Sequence, residues 1–420
     1  MKYRILFLSL LLVLFSSCES DQALELDPND SVTDDRIGGD RGGNGGGNNG
    51  TGGGNGTAPG LGVLTGSINL NALPNYANQA VPNYIEEDNT EGNDISNIEA
   101  LLGRVLFYDT NLSSDRSVSC ASCHIQEHAF GDLDQLSEGV NGRTGRHSMR
   151  LVNARFGRED NFFWDERARD LEEQTTMPIQ DHAEMGFSGT NGDPDMEDLL
   201  DRLSAINYYQ RLFLEAYGDM NITERRIQLS LAQFIRSIQS FDSKYDAGRA
   251  MVNNENQNFP NFTNMENMGK RLFMQNPQFN GPSGNRVGGG LGCNACHNAP
   301  EFDIRANSRN NGVINVAGQP GVLDLDVTRS PTLRNLFKPN GSLNGPMMHT
   351  GEFNSMEAVL NHYDDIVRAP GNNNLDQRLA RGGGVNLNMT DQEKAAVIAF
   401  LRTLTGEDVY TDERWSNPFE

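Results

Sequence analysis

Positive charge is scarce in this chain of 420 residues, because 34 Lys and Arg side chains face 57 Asp and Glu and the formal net charge is −23. A surface that binds nucleic acid or anionic lipid needs clustered basic residues to neutralise phosphates. The composition therefore argues against nucleic acid as a partner. It fits a solvated protein and favours a basic protein partner.

Long apolar runs are also scarce, and the one at the N-terminus is too short to cross a bilayer. Lys2 and Arg4 precede the apolar run from Ile5 to Phe15, whereas a transmembrane helix needs about 20 apolar residues. This pattern predicts a signal peptide over residues 1–17. The small residues before Cys18 resemble a lipobox, so we expect a lipid at Cys18. The alternative is an ordinary signal peptide with an incidental cysteine.

Export predicts a cell-envelope protein, either periplasmic or anchored to the outer membrane, with the lipid as its only membrane attachment. The residues after Cys18 contain few apolar side chains that could form a core, since Gly38 to Gly60 is mostly Gly, Asn and Thr. Such a stretch cannot bury enough apolar surface to offset the entropy of ordering. We therefore predict a disordered tether over residues 18–75.

Cysteine is rare, and four of the five cysteines lie in two C-x-x-C-H strings. Each string can attach a c-type haem, because two thiols form thioether bonds and the adjacent imidazole reaches the iron. The sequence therefore predicts two covalently bound haem c groups. The residues that would hold them are Cys120, Cys123 and His124 in the first string, and Cys293, Cys296 and His297 in the second.

Three other interpretations of the strings are a zinc ribbon, a thioredoxin-like redox pair and two structural disulfides. Zinc-ribbon pairs lie about 15–20 residues apart, whereas Cys120 and Cys293 are separated by 173 positions. A thioredoxin-like pair needs no following His and is rarely doubled. Disulfides suit an exported protein, but they do not explain the two histidines.

The segment before each string has the same pattern, with apolar residues at helical spacing over Ile98–Phe107 and again over Met265–Phe273. Thr223 to Phe241 predicts a further helix. Thr390 and Glu393 form a capping box before the run from Ala395 to Leu404. We therefore expect a mainly α fold of two cytochrome c-like haem domains with long loops. The predicted domains are a peroxidatic one over 76–247 and an electron-transfer one over 248–420.

A block between the two strings makes the family resemblance specific. The chain resembles the bacterial dihaem cytochrome c peroxidases, a family that also includes the methylamine-utilisation dihaem enzyme that completes a quinone cofactor. The resemblance covers about Ile98 to Gly406. It implies that Trp164 carries electrons between the haems, and it matches Gln174, Pro178 and Glu184 at 10, 14 and 20 residues after this Trp.

Glu184 is implied to assist proton transfer at the first haem, a role that peroxide cleavage requires of a positioned carboxylate. Gln174 and Pro178 are implied to shape the pocket. Two plainer interpretations stay open: Glu184 is a surface residue near a turn, and Trp164 is a packed core residue.

The resemblance breaks down on the far side of the first haem. Many relatives carry a second His on the loop that corresponds to Gln135–Gly142, and this loop has none. We therefore expect a first haem that is five-coordinate or water-bound at rest. His128 is expected at the haem edge or the surface. His147 replaces an Asn that often binds calcium in relatives, which makes calcium a doubtful third cofactor.

The sixth ligand of the second haem has several candidates. Met348, on a loop rich in Gly and Pro, is a familiar type of haem ligand. Family spacing instead indicates Tyr363, where the peroxidases hold Met and the quinone-forming enzyme holds Tyr. His362, Met347 or no ligand at all complete the alternatives. His349 is expected to bond a propionate or the loop backbone.

These expectations together predict a cytochrome-c peroxidase-type oxidoreductase. Hydrogen peroxide would be reduced at the first haem, and electrons from a small donor protein such as a cytochrome c would enter at the second. One alternative is peroxide-driven oxidation of a protein or organic substrate. Another is a tethered dihaem electron-transfer cytochrome without peroxidase activity. Relatives are often dimers, so a homodimer is one expected state.

Overall fold

A computed structural model describes residues 68–158, 161–282, 284–304, 308–327 and 329–420. The predicted signal peptide, Cys18 and the run from Gly38 to Gly60 lie outside the described residues. Within the described ranges no helix is long and apolar enough to cross a membrane.

The described residues contain ten α-helices. They are α1 Asn97–Tyr108, α2 Cys120–Cys123, α3 Leu171–Thr176, α4 Met196–Ser204, α5 Asn207–Tyr217, α6 Glu224–Ser237, α7 Lys244–Arg249, α8 Asn264–Met274, α9 Met356–Asp364 and α10 Asp391–Arg402. The predicted helices are confirmed as α1, α6, α8 and α10. The α6 helix begins after Thr223 but ends at Ser237, because Ile238 is extended. The prediction placed that end too late.

Eight short strands, all in the second half of the described chain, form four antiparallel pairs between sequence neighbours. They are β1 Pro277–Phe279, β2 Arg286–Gly289, β3 His297–Asn298, β4 Asp303–Ile304, β5 Asn315–Val316, β6 Gln319–Leu323, β7 Asp365–Val367 and β8 Gly384–Asn386. The sequence did not predict them. Strands of two to five residues are too short to display an alternating pattern.

The internal repeat corresponds to two equivalent helix crossings. α1 packs on α6, and α8 packs on α10. Gly103 lies at the first crossing and Gly269 at the second. A Cβ atom on Gly103 would lie 1.9 Å from the carbonyl oxygen of Ser230, and one on Gly269 would lie 1.9 Å from that of Ala396. Only glycine allows backbones to approach so closely.

Aromatic side chains repeat across the two crossings as well. The Phe107 and Phe234 ring centroids are 5.1 Å apart at the first crossing, and those of Phe273 and Phe400 are 5.3 Å apart at the second. Each crossing is the centre of one of two hydrophobic clusters. Each first helix then leads toward its C-x-x-C-H string.

The packing departs from the predicted domain limits at three places. Ile68 is buried in the first cluster, so the tether predicted to reach residue 75 ends too late. The boundary at 247/248 falls inside α7, and Tyr245 already belongs to the second cluster. The chain end returns to the first cluster, where Trp415 is 2% exposed and Arg104 donates to the Ser416 carbonyl at 2.6 Å.

We predict that Gly103→Ala and Gly269→Ala each lower the free energy of unfolding by about 1–3 kcal/mol, the usual cost of overpacking a tight contact. Denaturant unfolding of the haem-loaded protein measures this change. Gly145→Ala is the control, because a Cβ atom there meets nothing within 4 Å. Equal stability of the three variants would show that the crossings tolerate a side chain.

Candidate active site

The first C-x-x-C-H string forms the short helix α2. Ser119 and Ser122 build a capping box at its start, and His124 follows its last turn. The Nδ1 atom of His124 lies 3.1 Å from the carbonyl oxygen of Phe130. A proton on Nδ1 donated to this carbonyl leaves Nε2 free as a metal ligand. Burial lowers the pKa of His124, which also favours the neutral, ligating imidazole.

The cysteines of both strings are free thiols, contrary to the disulfide interpretation. Burial raises the pKa of Cys120 and Cys293 to about 12 and that of Cys123 and Cys296 to about 11. The described ranges hold no group of three or more His, Cys, Asp or Glu side chains suited to a metal ion.

A cavity of about 580 Å³ adjoins the first string. Its lining includes both cysteines and His124, together with all four residues predicted to be catalytic: Trp164, Gln174, Pro178 and Glu184. These four side chains come from the loop before α3, from α3 itself and from the turns after it. The structure thus brings together groups that are separated by up to 64 positions, from Cys120 to Glu184. His128 is not in this lining.

Glu184 is held by its backbone against the loop that lacks the second His. The Val140 N–H donates to the Glu184 carbonyl at 2.9 Å, and the Asn141 N–H donates to the Ala183 carbonyl at 3.2 Å. From the other side, the Asp181 carboxylate accepts from the Glu184 N–H at 3.1 Å. Glu184 is therefore fixed at the cavity wall, even though the turn itself lies at the surface.

The environment of Glu184 favours its protonated form. Burial, supported by the nearby Asp181 carboxylate and opposed by Arg167, raises the pKa of Glu184 to about 7. A carboxyl with this pKa can both accept and deliver a proton at neutral pH. The plainer interpretation, a surface Glu near a turn, fits its backbone but not its half-buried side chain in the cavity.

Trp164 lies between the first cavity and the loop that carries Met348. Its indole N–H donates to the His147 carbonyl at 2.7 Å, and its ring centroid lies 6.2 Å from that of His349. The His147 N–H in turn donates to the His349 carbonyl at 2.7 Å. Trp164 is only partly buried, whereas Trp415 is the tryptophan of the packed core.

Two ion pairs fix the segment around Trp164. Arg146 bridges Asp165 at 2.8 Å and Asp324 at 2.7 Å, which ties this segment to the loop after β6. The Nε2–H group of His349 donates to the carbonyl oxygen of Asn315 at 3.2 Å. His349 therefore bonds backbone, as expected, but the backbone belongs to β5 rather than to its own loop.

The second string begins in a single turn of 3-10 helix, and His297 then starts β3, which pairs with β4. Burial lowers the pKa of His297 to about 4, so its imidazole is neutral and able to ligate. Tyr363, on α9, and Cys293 pack against the same hydrophobic cluster, and burial raises the pKa of the Tyr363 hydroxyl.

Tyr363 and Met348, the two main candidates for the sixth ligand of the second haem, both contact the side chain of Asn311. Its side-chain amide lies 2.9 Å from the Tyr363 hydroxyl oxygen and 3.4 Å from the Met348 sulfur. His362 instead uses Nε2 with the Asn311 carbonyl at 3.0 Å, and Met347 packs into the second cluster.

Arg150 provides a test of whether the first cavity suits a haem. It lines the cavity, and burial lowers the pKa of its guanidinium to about 10. Its one hydrogen bond runs to the Thr332 carbonyl at 3.3 Å, its Nε atom has no partner, and no ion pair is formed within the described ranges. Arg150 is half-buried, a cation removed from water is stabilised by a counter-charge, and the propionates of a haem would supply one. The residues present therefore fit the group.

Comparisons with known proteins agree with this geometry. Residues 98–255 match the family model of the di-haem cytochrome c peroxidases. The chain is 30% identical over 328 residues to a methylamine utilization protein MauG from Methylorubrum extorquens, covering 76% of this chain and 81% of that protein. The chain belongs to the di-haem cytochrome c peroxidase family. It is therefore an oxidoreductase of the peroxidase type, and the family implies two c-type haems.

Two further relatives support the assignment. A cytochrome c551 peroxidase from Nitrosomonas europaea is 26% identical, with 73% of this chain and 80% of that protein covered. The crystal structure of a MauG-like protein associated with microbial copper homeostasis superposes with a TM-score of 0.64 at 27% identity, covering 82% of this chain and 99% of that one.

The sequence missed three residues that the structure places at the two sites: Gly139, Arg150 and Asn311. A Cβ atom on Gly139 would lie 2.1 Å from the Ala183 carbonyl oxygen and 2.7 Å from the Glu184 Cα atom. Each contact joins residues far apart in the chain, and no local pattern marks them.

If Glu184 has the role that the family resemblance implies, Gly139→Ala should lower peroxide turnover by roughly ten- to a hundredfold, because displacing a reacting group by about 1 Å has effects of this size. Steady-state turnover of the haem-loaded variant measures the loss. Gly288→Ala lies outside the cavity lining, and its Cβ atom would meet only the end of the Gln278 side chain at 3.4 Å, so it should retain wild-type turnover. Full activity of Gly139→Ala would mean that the position of Glu184 does not depend on this contact.

Proposed function

We propose that this enzyme reduces hydrogen peroxide to water at the site of Cys120, Cys123 and His124. Electrons from an external donor would enter at the site of Cys293, Cys296 and His297. The observation that carries the proposal is the half-buried carboxyl of Glu184, with a pKa of about 7, in the cavity beside the first string. A bound haem would supply the iron that binds peroxide and exchanges electrons.

Glu184 moves the proton in this proposal. Heterolytic cleavage of peroxide requires a proton to leave one oxygen and arrive at the other. The Glu184 carboxylate takes the first proton and then donates it to the departing oxygen. The backbone contacts to Val140 and Asp181 keep the group in place between the two transfers.

Gln174 and Pro178 shape the wall of the same cavity, and Trp164 connects it to the second site. Trp164 contacts the cavity on one side and His349 on the other. His349 adjoins Met348, which shares the amide of Asn311 with Tyr363. This order of contacts supports Trp164 as the electron relay.

In relatives that carry a His on the loop matching Gln135–Gly142, the loop supplies a ligand to the first haem. In this chain the loop supports Glu184 instead. It packs on the backbone of Glu184 and offers no imidazole. The first iron would therefore keep an open position at rest, and the enzyme would need no reductive activation.

A second candidate function is peroxide-driven oxidation of a protein or organic substrate. The packing of Tyr363 and Cys293 against one cluster favours it, because a phenolate ligand lowers the haem potential and suits the storage of oxidising equivalents. A plain electron-transfer cytochrome is disfavoured, since it would not need the carboxyl of Glu184 in a cavity.

Location and partners complete the proposal. A lipid on Cys18 would hold the protein in the cell envelope, periplasmic or on the outer membrane. The acidic chain, with a net charge of −23, suits a small basic donor such as a cytochrome c. A homodimer and a calcium ion stay as predictions drawn from the resemblance alone.

We predict that Glu184→Gln lowers peroxide turnover about a hundredfold or more, the scale of general acid–base catalysis, and leaves both haem spectra nearly intact. Because the pKa of Glu184 is about 7 and the ionised form starts the reaction, wild-type turnover should rise with pH through about 7. The variant should lack this rise.

Glu127→Gln is the matched control, because Glu127 is exposed and lies three residues after His124. It should keep both the rate and the pH profile of the wild type. Wild-type turnover in Glu184→Gln would remove Glu184 from the mechanism.

A further inference from the structure

One amide connects both candidate ligands of the second haem. The Nδ2 atom of Asn311 lies 2.9 Å from the Tyr363 hydroxyl oxygen and 3.4 Å from the Met348 sulfur. An amide nitrogen carries two hydrogens and no acceptor, so it can donate to the oxygen and the sulfur together. Tyr363 lies on α9, whereas Met348 lies on the loop after Pro346.

The orientation of this amide is fixed by its surroundings. The Asn311 Oδ1 atom accepts from the Val313 N–H at 3.1 Å, so the oxygen faces the backbone and the nitrogen faces Tyr363. The Asn311 carbonyl also lies 3.0 Å from Nε2 of His362, the neighbour of Tyr363. Asn311 is thus attached to α9 by its backbone and its side chain.

This geometry has a chemical consequence for the Tyr363 oxygen. A phenol oxygen that accepts one hydrogen bond from Asn311 keeps another lone pair free to ligate a metal. A donor bonded to a phenolate also draws charge from it and so weakens its donation to a ferric iron, and hydrogen bonds to axial ligands are one means by which proteins tune haem potentials.

We propose that Asn311 is a positioning residue for the second haem. Its amide orients the Tyr363 oxygen as the sixth ligand, and its hydrogen bond to that oxygen weakens the charge donation from the phenolate to the iron. The inference rests on the proposed assignment of Tyr363 as the ligand. It adds that the potential of the second haem is set in part by a residue that does not touch the iron.

The test uses the full chain, produced in a host that attaches c-type haem, and measures the ferric visible spectrum and the reduction potential of the second haem. Tyr363→Phe should abolish the phenolate-to-iron charge-transfer band. Asn311→Leu, which removes the donor, should move this band to longer wavelength and lower the potential, because the phenolate then donates more charge.

Asn311→Asp is the second variant, because it keeps the shape and the acceptor for the Val313 N–H but loses the donor. It should also change the band. Asn354→Asp is its matched control, since Asn354 is exposed on the same loop as Met348 and, among the described residues, its side chain bonds the Glu352 carbonyl alone. It should leave the band and the potential unchanged. Haem content per chain shows whether each variant has folded.

The outcomes separate the two assignments. A band that Tyr363→Phe removes and both Asn311 variants change supports the proposal. A band that Tyr363→Phe removes but neither Asn311 variant alters overturns the role of Asn311 and leaves Tyr363 as the ligand. An unchanged spectrum in Tyr363→Phe overturns the ligand assignment and the role of Asn311 together. None of these results depends on peroxide turnover, so they are independent of the role of Glu184.

Discussion

The close helix crossing at a glycine is the constraint on which both sites depend. Gly103 brings α1 against α6, and Gly269 brings α8 against α10, each with no room for a Cβ atom. The crossing sets the position of the Phe that follows four residues later. Phe107 reaches the His124 ring at a centroid distance of 6.5 Å, and Phe273 reaches Phe302 at 5.8 Å, in the segment just after His297. A repeated packing motif thus supports two sites whose chemistry then diverges.

The two sites differ because different loop residues contact each of them. At the first site, the loop Gln135–Gly142 supports the backbone of Glu184 and leaves a cavity with an acid–base group in its wall. At the second site, Asn311 joins a helix residue and a loop residue, Tyr363 and Met348, which pack against the same cluster as Cys293. In the function that we propose, the first site takes a small reactant that exchanges protons, and the second site controls a haem ligand. Trp164 and His349 connect them.

The sequence was sufficient for features that local patterns encode. The helices α1, α6, α8 and α10, the caps at Thr223 and Thr390 and the two C-x-x-C-H strings were all predicted. The family resemblance implied that Trp164, Gln174, Pro178 and Glu184 act at one site, and all four line one cavity. The β hairpins, the return of Trp415 to the first cluster and the roles of Gly139, Arg150 and Asn311 were not predicted. These features depend on contacts between distant segments, which hydrophobic periodicity and motif spacing do not record.

The central claim is that the first site keeps an open position while the second is closed by a protein ligand. An electron paramagnetic resonance spectrum of the as-isolated, fully oxidised protein, carrying both c-type haems, tests it most directly. We predict one high-spin and one low-spin ferric signal, since the loop Gln135–Gly142 contains no His and Tyr363 is the ligand that we propose for the second haem. Two low-spin signals would contradict it, because both irons would then be capped.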